Sequence, residues 1–218
     1  RPDGSFVSPE TVIRLAEQYG LIGEVSTRVL NQAITILHQF KAQALNYPVA
    51  INLAGSDLLV NTFYNALIDV ATHQPSLLSQ LTLELTENSI ISHKQPLFDK
   101  IHALKKLGFS IALDDFGAGY SNFRYAMDLH ADVIKIDGSI VKNICHSTES
   151  HAVITAIVGL AHDLGCKCVA EWVEDLHTLR EVKELGVDYV QGYLVSPAVE
   201  CERFLNLNST LELMPDQN

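Results

Sequence analysis

Ile111-Ala112-Leu113-Asp114-Asp115-Phe116-Gly117-Ala118-Gly119-Tyr120 joins an apolar run to two adjacent acids and a glycine-rich turn. Ile111 to Leu113 form an apolar run of strand length, buried on both faces. Asp114 and Asp115 then stand at the C-terminal end of that strand, where a βα loop begins. Two adjacent carboxylates repel unless a cation lies between them or one is protonated. Gly117 and Gly119 let the following loop bend sharply. Taken alone, the stretch also fits a strand that ends in a solvated acidic turn.

The pattern repeats on both sides. Ser8-Pro9-Glu10 is a helix start, with a hydroxyl N-cap, proline at the first helical position and an acid in the first turn. That helix runs through Val12, Leu15 and Ala16 and stops near Gly20. A second starts near Gly23 and carries Val29, Leu30, Ala33, Ile34 and Leu37 at helical spacing. Strands are then expected at 48–52, 81–84, 110–114, 132–135, 168–171 and 189–191. Helices are expected between them at 63–71, 96–107, 121–129, 150–164 and 175–185. No linker or low-complexity tract interrupts the alternation, so residues 1–218 read as one α/β domain.

Each strand runs from apolar residues into one polar residue: Asn52, Glu84, Asp114, Lys135, Glu171 and Gln191. In a βα barrel these positions ring the C-terminal mouth, where catalytic groups collect. An open doubly wound sheet uses a single switch point and does not need a functional residue on every strand. The glycine fingerprint GxGxxG is also absent, so the pattern favours the barrel.

Composition limits the chemistry. The net charge is -11 and no Lys/Arg cluster exists, which argues against a nucleic-acid duplex as partner. An anionic small ligand needs metal ions or a few placed cations to offset the acids. No apolar run approaches the ~18 residues of a membrane span, so no direct membrane contact is expected from this segment. The opening on Arg1, without Met or a signal peptide, reads as a fragment of a longer protein, which leaves room for a membrane tether upstream. Cys145, Cys166, Cys168 and Cys201 make no CxxC pair and no zinc spacing; Cys166 and Cys168 read as core thiols in a reducing compartment. The nine His show no metal-ligand spacing.

Asn52, Glu84, Asp114, Asp115 and Glu171 are all oxygen ligands, a set that suits Mg²⁺ or Mn²⁺ over Zn²⁺ or Cu²⁺. They exceed what one such ion takes from protein; two ions roughly 3.5–4 Å apart use them better and suit in-line displacement at phosphorus. Lys135 adds a point charge that can hold a nucleophilic water or stabilise phosphoryl oxygens. Gln191 can orient a water or a ligand amide. Against this stand simpler roles: Lys135 as the partner of Asp114 in a structural ion pair, Glu171 and Glu174 as a solvated face, Asn52 as a helix cap.

The chain resembles the EAL domain, a cyclic di-GMP phosphodiesterase family with a modified (β/α)8 TIM-like barrel. The segments that carry the resemblance are Ser8-Pro9 with Leu15-Ala16-Glu17, Ile51-Asn52-Leu53, Glu84-Leu85-Thr86-Glu87 and Asp114 through Ser121. Lys135-Ile136-Asp137, Ala170-Glu171-Trp172-Val173-Glu174 and Gln191-Gly192-Tyr193 complete the set, in family order. The resemblance implies that Asn52, Glu84, Asp114, Asp115 and Glu171 hold or surround two divalent cations, Mg²⁺ or Mn²⁺, with Glu171 also a candidate general base. It implies that Lys135 positions the attacking water, that Gln191 completes the site, and that Glu87 anchors the loop after Asp115. Asn52, Gln191 and Pro197 become substrate-binding candidates. The implied ligand is cyclic di-GMP, the product linear pGpG, the setting cytoplasmic, and a homodimer is consistent with the family's habit.

Departures from the family pattern are specific. The Glu-Ala-Leu strand and the strand before it are missing, so the barrel is expected to lack its first two strands, with one metal ligand and a phosphate-binding Arg. Trp172 stands where the family usually has Gly; Asn88 and Asn122 stand where Ser is usual; and Ser196 is followed directly by Pro197 without the usual intervening basic residue. Three functions follow: an active metal-dependent cyclic di-GMP phosphodiesterase, a catalytically silent cyclic di-GMP receptor, and a barrel glycosidase using Glu84 and Glu171. The last leaves Asp114, Asp115 and Lys135 without a role.

Overall fold

The structure, a computed structural model, describes residues 7–86, 94–118 and 123–205. Two helices open it, α1 (Pro9–Gln18) and α2 (Ile22–Ala42). The Ser8 hydroxyl accepts from the Thr11 backbone N–H at 3.3 Å, which fixes the start of α1. Strand β1 (Val49–Leu53) follows, then α3 (Gly55–Leu59), α4 (Asn61–His73) and a 3-10 turn at Pro75–Gln80. The alternation continues with β2 (Leu81–Thr86), α5 (Lys94–Leu107), β3 (Ser110–Phe116), α6 (Phe123–Leu129) and β4 (Val133–Ile136). It closes with α7 (Gly138–Val141), α8 (Thr148–Asp163), β5 (Lys167–Ala170), α9 (Leu176–Glu184), β6 (Tyr189–Val190) and α10 (Cys201–Leu205).

All six strands are parallel, and their spatial order is β1-β2-β3-β4-β5-β6. A doubly wound sheet reverses its strand order at a switch point; this one never does. Sequential parallel strands joined by helices are the topology of a barrel wall, so the fold is α/β with a TIM-like sheet of six strands. The expected burial is seen at the opening stretch: Ile111, Ala112 and Leu113 are all buried. On β2 the pattern alternates, with Leu81, Leu83 and Leu85 buried among the helices while Thr82, Glu84 and Thr86 are half-buried on the other face. That second face carries the site. The core beneath it joins Leu37, Leu83, Leu113, Ile134 and Ile157, and truncating any of these leucines to alanine costs about 2–5 kcal/mol.

Some expectations need correction. Val29 is exposed and does not belong to the buried stripe of α2, which is Leu30, Ala33, Ile34, Leu37 and Phe40. On α1, Val12 and Leu15 are exposed and Ala16 is buried, because among the described residues little packs on the side of Val12 and Leu15. The single-turn α3 was not anticipated. Strand β3 runs on to Phe116 instead of giving way to a loop at Asp114, for a reason that shapes the site. The helix expected from 121 is observed from Phe123; positions 121 and 122 lie outside the described residues.

Candidate active site

Side chains on a regular strand alternate between faces, so adjacent Asp114 and Asp115 cannot both serve one site from an undisturbed β3. The pairing of β3 with β4 solves this. Leu113 pairs with Ile134 and Phe116 pairs with Ile136, so β3 carries one residue more than β4 between the two rungs. Asp115 takes the left-handed conformation, φ 55°. This is a β-bulge, a device that re-aims side chains beside active sites. The ladder then resumes, with Asp137 N–H donating to the Phe116 carbonyl at 3.1 Å. Oxygens of Asp114, Asp115 and Glu171 consequently come within 4.8 Å of one another.

Lys135, from β4, lies among these acids. Its Nζ donates to Asp114 Oδ1 at 2.8 Å and to Glu84 Oε2 at 3.3 Å, and pairs with Glu171 Oε1 at 2.8 Å. Lys135 and Glu171 are 6% and 7% exposed, so neither belongs to a solvated face. Burial alone would lower the lysine pKa, but hydrogen bonds to Asp114 and Glu171 and the charges of Glu84 and Glu171 outweigh it and raise it. Lys135 is therefore a fixed cation. Burial raises the Glu84 carboxyl, opposed by Lys135 and reinforced by Asp114. Burial likewise raises Glu171, against the pull of Lys135. Asp115 is raised by burial and by the charges of Asp114 and Asp137.

One ammonium among four carboxylates leaves an excess of negative charge. Three carboxylate oxygens come within 4.8 Å of one another, and among the described residues no thiolate or imidazole joins them. This donor set fits hard divalent cations. Asp114, Asp115 and Glu171 are the residues that would hold an ion, with Glu84 beside them.

The other expected site residues are placed differently. Asn52 pairs in register with Glu84 across β1 and β2, but its side chain is exposed at the edge of the sheet, and no hydrogen bond joins it to Lys135. Its suggested capping role goes to Asp57, whose Oδ2 accepts from the Ala54 N–H at 3.0 Å at the start of α3. Gln191 and Pro197 line a neighbouring cavity of about 600 Å³, together with Lys142, Trp172, Glu174 and Tyr193. Gln191 is carried there by backbone bonds: its N–H donates to the Ala170 carbonyl at 2.8 Å, and its carbonyl accepts from the Val173 N–H at 3.0 Å. Gly192 is required at this turn, because a Cβ there would overlap the Val173 backbone. Glu87 lies outside the described residues. Sequence reasoning gave Lys142 no role and named Tyr193 only within the Gln191-Gly192-Tyr193 match; Lys142 lies seven residues after Lys135, directly after the short helix α7 that follows its strand.

Comparison with known proteins bears on the family and the fold. The sequence profile of the EAL domain matches residues 1–198. The cyclic di-GMP phosphodiesterase PA2567 of Pseudomonas aeruginosa is 35% identical over 195 residues, covering 89% of this chain and 33% of that protein's length. The chain thus spans about a third of that curated relative. The structure of the PaMucR phosphodiesterase in complex with c-di-GMP superimposes with a TM-score of 0.81 at 28% identity, covering 91% of this chain and 87% of the other. Klebsiella pneumoniae BlrP1 in its calcium and cyclic di-GMP complex gives a TM-score of 0.70 at 28% identity, covering 81% of this chain and 44% of the other. The chain belongs to the EAL domain family.

Proposed function

We propose that this chain hydrolyses cyclic di-GMP to linear pGpG with the help of two divalent cations, Mg²⁺ or Mn²⁺. The observation that carries the reading is the bulged Asp114-Asp115 pair converging with Glu171 around the buried ammonium of Lys135. The named activity of relatives such as PA2567 supports it, as does the calcium found with the dinucleotide in BlrP1.

Bound at Asp114, Asp115 and Glu171, the cations would supply Lewis acidity toward water and phosphoryl oxygen. The chain's own residues do the rest. Glu171, with its pKa raised by burial, is a better base than an exposed glutamate and takes the proton of the attacking water. The water oxygen bonds to phosphorus while the P–O3′ ester bond breaks, and the departing 3′-oxygen takes a proton from solvent, leaving a 5′-phosphate and a free 3′-hydroxyl. Lys135 stays charged throughout, orients the Glu171 and Asp114 carboxylates, and offsets charge gathering on the phosphoryl oxygens. Gln191 holds the substrate from the adjoining cavity. The reaction takes place in the cytoplasm on this reading, in keeping with four free thiols.

A second reading, a receptor that binds the dinucleotide without cleaving it, is favoured by Trp172 beside Glu171, where the bulky ring borders the substrate cavity. Calorimetry separates the two. Cyclic di-GMP titrated into the protein in Ca²⁺ is expected to bind without turnover, and exchange into Mg²⁺ to add the heat of hydrolysis. Binding with no turnover in Mg²⁺ or Mn²⁺ would establish the receptor instead.

A further inference from the structure

Trp172 is built into its place. It follows Glu171 directly and adopts a left-handed backbone, φ 54°, which a bulky side chain seldom takes. Its ring lies against α7, where Gly138 presents no side chain. A methyl group at 138 would overlap Cβ, Cγ and Cδ2 of the tryptophan. One helical turn further on, Lys142 places its Nζ 4.5 Å from the ring centroid. Glu174 Oε1 pairs with that ammonium at 3.3 Å and restrains it. The ring is therefore backed by Gly138 and Lys142, yet Trp172 is 53% exposed and lines the 600 Å³ cavity with Gln191 and Pro197. Tyr193, 66% exposed, borders the same space.

A fixed indole facing a cavity beside a phosphodiester site offers one interaction in particular, the stacking of a flat aromatic base. We infer that Trp172 is the stacking platform for one guanine base of the dinucleotide, a specificity-determining contact that this chain supplies from the residue after its candidate base Glu171. The inference rests on the phosphodiesterase reading of the site and goes beyond it. Lys142, over the ring and at the wall of the same cavity, withdraws charge from the indole, which strengthens stacking against an electron-rich purine. The cavity is lined as well by Lys142, Glu174, Gln191, Tyr193 and Pro197, which set charged, amide and phenol groups around the edge of a base lying on the indole.

Trp172 is the only tryptophan of the chain, so its fluorescence reports this contact alone. Cyclic di-GMP is titrated in Ca²⁺, with emission and calorimetric heat followed in parallel. The expected result is quenching that saturates with the calorimetric isotherm. Trp172→Gly, whose backbone accepts the left-handed angle, weakens binding about tenfold or more, and Trp172→Phe retains most of the affinity. Calorimetric binding with unchanged emission overturns the platform while leaving the phosphodiesterase reading intact. So does a Trp172→Gly variant that binds as tightly as wild type or more tightly, since the ring would then be a plug. Absence of any calorimetric binding overturns both.

Discussion

Asp115 bears the strain of the site. Its left-handed backbone lets two consecutive carboxylates reach one face of β3, and the charges of Asp114 and Asp137 add to burial in raising its pKa. A carboxylate whose folded pKa lies above its unfolded value destabilises the fold at neutral pH, and that burden lifts as pH falls through the folded pKa. Asn tolerates the left-handed region and carries no charge. Asp115→Asn is therefore expected to raise the stability of the metal-free protein by up to about 1 kcal/mol, a small gain because solvent screens a half-exposed group. Thermal melts in chelator check this; a less stable variant would mean the carboxylate contributes a bond that the geometry does not show. The adjacent acids were legible in the sequence, but the bulge was not. A strand that keeps its ladder through one extra residue has the same local composition as a strand that ends in a turn. The buried thiols were legible. Cys166 donates to the Ala131 carbonyl at 3.0 Å, and burial, with Asp188 and Cys166 nearby, pushes Cys168 up to about 12. Neither thiol is expected to react with a disulfide reagent in the native state, whereas the half-buried Cys145 and Cys201 react. Titration before and after denaturation counts them, and four fast thiols in the native protein would contradict this core.

At the scale of elements, the bottom of the sheet is stitched by one device used twice. Asp132, just before β4, accepts from the Ile111 N–H at 2.8 Å near the start of β3 and pairs with Lys105 at 2.6 Å. Asp188, just before β6, accepts from the Cys168 N–H at 2.9 Å in β5 and pairs with Lys167 at 2.6 Å and His162 at 3.1 Å. Each aspartate ties its own strand to the neighbour on which it must lie parallel. Burial would raise the Asp188 pKa, but Lys167, the Cys168 N–H and His162 outweigh it and lower it to about 2. Its stabilisation is thus complete above the unfolded aspartate value and lost as pH falls from about 4 toward 2. Unfolding titrations across that window should show a steeper loss for wild type than for Asp188→Asn; equal slopes would mean the lowered pKa has no counterpart in stability. The cap at Ser8 was readable because a hydroxyl N-cap before proline leaves a local signature, whereas the helix expected from 150 starts at Thr148 behind a Ser147 cap, and the helix expected from 175 starts at Leu176 with Asp175 as its cap. The exposed apolar side of α1 was not, since periodicity marks an apolar face and not what covers it.

At the scale of the whole molecule, the strand order carries the functional argument. Six parallel strands laid down in sequence bring the ends of β2, β3, β4 and β5 side by side, and Glu84, Asp114, Lys135 and Glu171 meet there. The row of polar strand ends in the sequence pointed to this meeting. It did not show that Asn52 stays exposed at the sheet edge or that Gln191 serves a neighbouring cavity, because reach depends on how the wall curves and where each strand stops. On the phosphodiesterase reading, the excess negative charge around Lys135 serves to hold divalent cations. Electron paramagnetic resonance of Mn²⁺ titrated into wild-type protein and Asp115→Asn tests it most directly. The expected result is loss of the free-ion signal with wild type and at least a tenfold weaker site in the variant. Equal Mn²⁺ affinity in the two proteins, or none in either, would contradict it and leave Lys135 and its acids as a structural ion cluster.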